Sequence, residues 1–252
     1  MEDFVPPYTS FAAAYDKMME NVDYVRWADY VDKLFAHYNL RPRRVLDMAC
    51  GTGSTAILLA EKGYLMSGSD RAMEMLLSAR DKAEKKGIPL QLWQQDMRDL
   101  AVSQPYDAVL CLYDSINYIT TEEEMKQVFT RVSEALGPKG VFIFDVTTEY
   151  NIVKHFDRQT FAESNEYFSY IWRNLYFHKE KLCKTVLTFF LREDGDYRKY
   201  EEFHVQKIYS VAQIRKLLDQ TGYNLLSSFD AFSFNRWSKI SERINFTAVK
   251  KQ

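Results

Sequence analysis

The chain has 252 residues, 46% of them hydrophobic and 27% charged, with a formal net charge of −2. That balance is ordinary for a globular domain. It carries no basic surplus for nucleic acid, and no apolar run approaches the ~20 residues that span a bilayer. Cys50, Cys111 and Cys183 stand far apart without metal-ligand spacing, and Met1-Glu2-Asp3 lacks the basic and apolar regions of a signal peptide. Reduced thiols and a cytoplasmic location are expected.

Residues 8–37 carry apolar positions three and four apart, among them Phe11, Tyr15, Met18, Val22, Trp27, Tyr30, Val31 and Leu34. This predicts two short helices breaking near Glu20 to Asp23, with an apolar stripe that caps the remainder. From Arg43 to Val146, strands are expected near 43–48, 64–69, 90–95, 106–112 and 140–146, and helices near 54–62, 72–86 and 122–136. Such alternation predicts a parallel, doubly wound sheet, whose ligands bind outside the carboxyl ends of the strands.

The first strand runs into Asp47-Met48-Ala49-Cys50-Gly51-Thr52-Gly53. Gly51 and Gly53 allow a tight turn and close approach to a ligand. Gly51-x-Gly53-x-x-Ala56, with Asp70 nineteen residues past Gly51, satisfies the dinucleotide fingerprint. Arg71 would suit a 2′-phosphate, so an NAD(P)-dependent oxidoreductase is one reading. Asp47 opposes it. A pyrophosphate beside that carboxylate would meet like charge at a cost of ~4 kcal/mol for unit charges 4 Å apart at moderate dielectric. The ammonium and sulfonium of S-adenosylmethionine (SAM) would be attracted instead.

Asp70, at the second strand end, can accept from both ribose hydroxyls or cap the next helix. Met75 packs on adenine or on the sheet. Asp96, at the third strand end, can accept from an exocyclic amine, while Met97 offers a backbone N–H and an apolar cover. Three acids at three successive strand ends suit a cationic, hydroxyl-rich, amine-bearing cofactor. The fourth strand exits through Leu112-Tyr113-Asp114-Ser115-Ile116-Asn117-Tyr118. Asp114, Ser115 and Asn117 there either bind polar groups of a substrate or form the turn and cap of the next helix.

Gly137-Pro138-Lys139-Gly140 reads as a turn into the fifth strand. Tyr150-x-x-x-Lys154 imitates the catalytic pair of short-chain dehydrogenases, but the glycine loop and strand-end serine of those enzymes are missing. Between 160 and 208, period-two runs at Phe168–Arg173, Leu182–Leu191 and Tyr197–Ile208, with an Asp194-Gly195 turn, predict three antiparallel strands. Arg173 and His204 are their polar members, which either face a substrate or are ordinary exposed residues. Tyr209 to Gly222 reads as an amphipathic helix, and Tyr223–Phe232 and Arg243–Lys250 as the last strands.

Asp47-x-Ala49-Cys50-Gly51-Thr52-Gly53 resembles motif I of the class I SAM-dependent methyltransferases, with Ala49 in place of the usual first glycine. Asp70 matches the acid of motif II, and Asp96 the residue that reads adenine N6. Phe11-Ala-x-x-Tyr15-Asp16 followed by Tyr24-x-x-Trp27 resembles the N-terminal segment of small-molecule methyltransferases, whose aromatics close over the methionine end of SAM. An antiparallel insert after strand five is a feature of the sugar-amine and glycine N-methyltransferase branch. Glu242-Arg243-Ile244-Asn245-Phe246 resembles the closing hairpin. The Asn/Asp-Pro-Pro-aromatic box of base-amine methyltransferases is absent, which argues against nucleic-acid bases as acceptors.

The resemblance covers nearly the whole chain and implies one α/β domain on a mostly parallel, seven-stranded Rossmann-like sheet. Residues 1–40 would form a helical cap, 41–146 the SAM-binding core, 147–208 a β insert serving as lid or as an oligomer surface, and 209–252 the final helix and hairpin. It implies a cofactor site of Tyr15, Trp27, Asp47, Ala49, Cys50, Gly51, Gly53, Asp70, Arg71, Met75, Asp96, Met97 and Leu112. Tyr15, Tyr113 and Asn117 would act on the transfer, and Asp114, Ser115, Arg173 and His204 on the substrate, without a metal. The implied activity is methyl transfer from SAM to a small molecule at an amine nitrogen by in-line displacement. An oxidoreductase or a non-catalytic SAM-binding protein is the alternative, and monomer and homodimer stay equally open.

Overall fold

The structure, a computed structural model, describes residues 4–5, 8, 12–166, 168–193 and 195–251. Met1-Glu2-Asp3, Phe11 and Asp194, used in the expectations above, lie outside them. The chain begins with β1 (Phe4–Val5), α1 (Ala12–Met18) and α2 (Tyr24–His37). Asp23 starts α2 by accepting the Arg26 N–H at 2.9 Å, an ordinary N-cap. The alternating segment follows as β2 (Arg44–Met48), α3 (Ser54–Glu61), β3 (Leu65–Asp70), α4 (Met73–Lys85), β4 (Gln91–Gln94), β5 (Tyr106–Cys111), α5 (Glu122–Ala135) and β6 (Leu136–Thr147). After α6 (Glu149–Asn151) come β7 (Thr160–Ser164), β8 (Phe168–Phe177), β9 (Leu182–Glu193) and β10 (Asp196–Lys207). A capping box of Ser210 and Gln213 opens α7 (Val211–Gln220), and β11 (Tyr223–Asp230) and β12 (Arg243–Lys250) close the chain.

The main sheet has seven strands in the order β11-β12-β6-β5-β2-β3-β4. Strands β2 to β6 run parallel, and β12 is antiparallel to both neighbours. Alternate residues of the central strands feed two cores. Leu46, Val109, Phe142 and Phe144 pack with α5 and α7, while Val45, Leu110 and Ile143 pack with α2 and α3. The order of winding reverses between β2 and β5, so a crevice opens over their carboxyl ends.

Residues 137–140 do not form a free turn. They lie within β6, opposite a register irregularity between Tyr106 and Ala108, with Lys139 at φ 61°. The second sheet is also larger than expected: five strands, in the order β1-β10-β9-β8-β7. Every residue of β7 is exposed, so it has no alternation to detect, and β1 is two residues long. β1 pairs parallel with β10, which ties the N-terminal segment to the insert. One face of this sheet packs Phe168, Leu187 and Phe189 against Tyr8, Tyr15 and Met18. The insert thus stands over α1 and the crevice.

Candidate active site

The loop after β2 turns through Ala49 at φ 60° and Gly51 at φ 54° into Gly53 at φ 73°. The two glycines act differently. Gly51 lines the crevice, and a Cβ on it would touch nothing within 4 Å, so its backbone angle is what favours glycine. Gly53 does not reach the cavity. A Cβ there would lie 2.9 Å from the Ala79 Cβ, so this glycine lets α3 pack against α4. Its expected ligand contact is therefore corrected to a packing role.

Asp47 projects into the same cavity while only 3% exposed, and its side chain makes no hydrogen bond or ion pair with any described residue. Burial, then the charge of Asp70, pushes its carboxyl up to about 7. Asp70 does two jobs at once, accepting the Gly51 N–H on one oxygen and the Ala72 N–H on the other, each at 2.9 Å. Burial raises its carboxyl, and those two bonds draw it part of the way back. Asp96 is more occupied than its position suggested. Its Oδ1 accepts the backbone N–H and Nε of Arg98 at 2.9 Å, and its Oδ2 accepts a terminal guanidinium nitrogen at 2.7 Å. Burial works against its charge, but the Arg98 fork outweighs it and holds the carboxyl below the ordinary range. Arg98 also binds Glu124 at 2.7 Å.

Ala49, Cys50, Arg71, Met75, Met97, Leu112 and Ser115 line this cavity as well. Burial, then Asp47 and Asp70, pushes the Cys50 thiol well above its ordinary value, so it is protonated. The Arg71 side chain is exposed at the rim. Ser115 Oγ donates to the Leu112 carbonyl at 2.8 Å.

After β5 the backbone passes through two left-handed residues in succession, Tyr113 at φ 61° and Asp114 at φ 50°. Each costs roughly 1–2 kcal/mol for a residue with a Cβ, so the turn needs external support. Asp145, fully buried in β6, accepts both backbone N–H groups at 2.7 and 2.8 Å. Arg243 pairs with Asp145 and, at 2.6 Å, with Asp114. Its guanidinium stands 5.2 Å from the Tyr113 ring and 5.4 Å from that of Trp27. Neither Asp145 nor Arg243 stood out in the sequence. The available signal was one acid inside the apolar run Val141–Val146.

Trp27 lines neither cavity. It is buried against Phe232, with ring centroids 4.7 Å apart, and beneath Tyr113 at 5.6 Å. Its expected cofactor contact is corrected: it props up a residue that does line the cavity. Asn117 is corrected too. It is fully buried, donating to the Lys207 carbonyl at 2.7 Å and accepting the Thr147 N–H at 3.2 Å. Both ends of its amide tie backbones together, and it does not line the cavity.

A second cavity adjoins the first and shares Tyr8, Tyr15, Tyr113 and Tyr118 with it. From the insert it receives Trp172, Thr185, Leu187, His204 and Gln206. Asp114 lines it with both carboxylate oxygens engaged, one by Arg243 and the other by Gln206 at 2.5 Å. Arg173 is corrected to the outer face. Trp172 faces inward, and the period of two then places Arg173 in solvent. Tyr150 and Lys154 line neither cavity.

Comparison with known proteins agrees with this geometry. A methyltransferase-domain family pattern matches residues 45–140. A protein of Geobacillus sp. (strain WCH70), provisionally named a methyltransferase, is 35% identical over 96% of this chain and 99% of its own. The crystal structure of a SAM-dependent methyltransferase from Clostridium acetobutylicum ATCC 824 superposes with a TM-score of 0.85 at 30% identity, covering 96% of this chain and 98% of that one. This chain belongs to the class I SAM-dependent methyltransferases. A glycine/sarcosine N-methyltransferase of Halorhodospira halochloris is 27% identical to this methyltransferase, over 75% of this chain and 68% of its own. The cavity chemistry fits the cofactor. A buried carboxylate without a partner suits a cationic ligand, and Asp70 keeps lone pairs beyond its two backbone bonds.

Proposed function

We propose that this methyltransferase acts on a small-molecule amine. In this reading Asp47 receives the ammonium of the cofactor's methionine part and Asp70 its ribose hydroxyls. Asp96 and Met97 meet the adenine edge, with Met75 on a face of the ring. The first segment is a cap, 147–208 a lid, and Tyr15 and Tyr113 close over the methyl group. Bound SAM supplies a methyl carbon already activated by its sulfonium. The protein's task is to align the acceptor and exclude water, which can lower the barrier by ~7–11 kcal/mol.

The observation that carries this reading is the junction of the two cavities at four tyrosines. Among the described residues, the second cavity contains no Lys or Arg to hold a carboxylate or phosphate, and its one acid, Asp114, is already paired. Its walls are rings and thioethers: Tyr15, Tyr113, Trp172, Met18 and Met19. Aromatic faces stabilise the positive charge that an amine acquires as it is methylated. The name of the Halorhodospira relative supports the same acceptor class.

The test is transfer of labelled methyl from SAM to paired acceptors: benzylamine against benzyl alcohol, and phenethylamine against 2-phenylethanol. Label in the amines is expected. Label confined to the hydroxyl partners would overturn the amine assignment while leaving the small-molecule reading in place.

A further inference from the structure

Four side chains run in line from the buried face of the insert to the junction of the cavities. Glu202, 0% exposed, has Oε2 3.2 Å from His204 Nε2, an ion-pair distance without the alignment of a hydrogen bond. His204, 8% exposed, has Nδ1 2.8 Å from the Tyr118 hydroxyl. The Tyr118 hydroxyl lies 2.6 Å from that of Tyr8. Tyr8 closes the figure by donating its backbone N–H to Glu202 Oε2 at 2.8 Å. The rings of Tyr8 and His204 meet edge to face, 5.1 Å between centroids. These residues come from the N-terminal segment, the exit of β5 and strand β10, so cap, core and insert all contribute.

Counting protons gives the chain a direction. The charge of the Glu202 carboxylate favours the imidazole tautomer with its proton on Nε2, although Nε2 makes no aligned hydrogen bond to it. Nδ1 is then an acceptor, so the single Tyr118 proton is committed to it. The Tyr118 oxygen must then accept from Tyr8. Lone pairs of the Tyr8 oxygen remain, on a residue that lines both cavities.

We infer that Tyr8, Tyr118 and His204, backed by Glu202, form a relay that removes the acceptor's proton during methyl transfer. The acceptor's lone pair forms the new bond to the methyl carbon as the carbon–sulfur bond breaks and its electron pair returns to sulfur. The acceptor proton passes to Tyr8 Oη, the Tyr8 proton to Tyr118 Oη, and the Tyr118 proton to His204 Nδ1. An imidazolium facing the Glu202 carboxylate is left. Burial raises both phenols well above their ordinary values, so neither rests ionised, and each releases a proton only as it gains one. The titratable groups near His204 are Glu202 on its own strand, Tyr8, Tyr118, and behind them Tyr15 and Asp114. The relay rests on the small-molecule reading but serves an amine or a hydroxyl acceptor alike.

The first test needs no acceptor. In the full chain with S-adenosylhomocysteine bound, 15N-labelled histidine is followed by NMR from pH 9 to 5. His204 is expected as the Nε2–H tautomer at high pH, with Nδ1 accepting. Tyr118→Phe should displace the Nδ1 resonance. An Nδ1–H tautomer overturns the relay. The second test uses benzylamine. His204→Asn keeps an acceptor for the Tyr118 hydroxyl but cannot take up a proton. It should lower kcat by ~100-fold or more, flatten the acid limb of the pH profile and change SAM affinity less than twofold. Unchanged kcat also overturns the relay. If benzylamine is not methylated, the NMR measurement alone decides the relay.

Discussion

Asp47 sits in the cavity with its carboxyl pushed up to about 7 by burial and then by Asp70. Two consequences of opposite sign follow. An ammonium binds the ionised form, so SAM affinity should fall as pH drops below about 7, approaching tenfold per unit (about 1.36 kcal/mol). Above about 8 the ligand's own α-amino group loses its proton and affinity falls again. Calorimetric titrations from pH 5.5 to 9 should trace this bell. Asp47→Asn should weaken binding by ~1–3 kcal/mol at pH 7.5 and erase the acid limb; an acid limb that survives removes Asp47 from the site. For folding the sign reverses. The folded-state value lies above that of an unfolded aspartate, so the stabilisation it brings is full at low pH and lost as pH rises through about 7. Ligand-free Asp47→Asn should therefore melt above the parent at pH 8. Ala49 offers a second test at this scale, because its φ of 60° puts a Cβ where glycine would be free. Ala49→Gly should relieve ~1–2 kcal/mol, less ~0.4–1 kcal/mol of added unfolded-chain entropy. The net gain of ~0–1.6 kcal/mol corresponds to a rise of up to ~3–6 °C in Tm. A fall in Tm would mean that the loop relaxes around alanine.

The turn leaving β5 is held by residues of two other strands. Arg243 of β12 neutralises both Asp114 and Asp145, and Asp145 in turn holds the two left-handed N–H groups. Arg243→Met should cost ~3–5 kcal/mol at pH 8, since it strands buried carboxylates. Even beside Arg243, burial keeps the Asp145 carboxyl up at about 6, so the stability linked to its protonated form is lost as pH rises through that value. The deficit of the variant should therefore shrink between pH 8 and pH 5, as measured by denaturant midpoints at both. A deficit independent of pH would assign the loss to packing over Trp27 and Tyr113. Elements of this kind mark the boundary of what the sequence discloses. The acids at the ends of β2, β3 and β4 were legible because a strand, a turn and a capping acid are neighbours in the chain. The support beneath Tyr113 was not, since Arg243 and Asp145 meet it only through strand pairing. Alternation in β8 was legible, but its phase was not, and that phase decides that Trp172 faces the cavity and Arg173 the solvent. Asn117 misled because a buried amide that ties two backbones looks, as a letter, like one that binds a substrate.

Across the whole molecule, the cavities are roofed by parts far apart in sequence. Tyr8 reaches Glu202 across 194 residues, and Tyr118 reaches His204 across 86. Such pairings arise only when cap and insert close on the core, and no local pattern reports them. The cap is fastened at one corner: Lys82 Nζ of α4 binds Asp16 of α1 at 2.7 Å and the hydroxyls of Thr52 and Ser54 at 2.9 Å. Thr52 also donates to Asp16 at 2.5 Å. Asp16 adjoins Tyr15, which lines both cavities, so this fastening joins the roof directly to the glycine loop. We propose that ligand exchange lifts α1, which breaks these contacts. The ion pair is partly exposed, at 29% and 42%, and such pairs contribute about 0.2–1 kcal/mol. Lys82→Met should thus raise the SAM dissociation rate by roughly 1.4- to 5-fold, that energy expressed as a ratio, and increase amide exchange in residues 12–18. High salt should accelerate release from the parent and leave the variant nearly unchanged, because screening acts on the pair that the variant lacks. Stopped-flow displacement of SAM at two ionic strengths separates the outcomes. Equal salt responses in parent and variant would show that the cap is held by its apolar face on Met75, with the Asp16–Lys82 pair contributing nothing to closure.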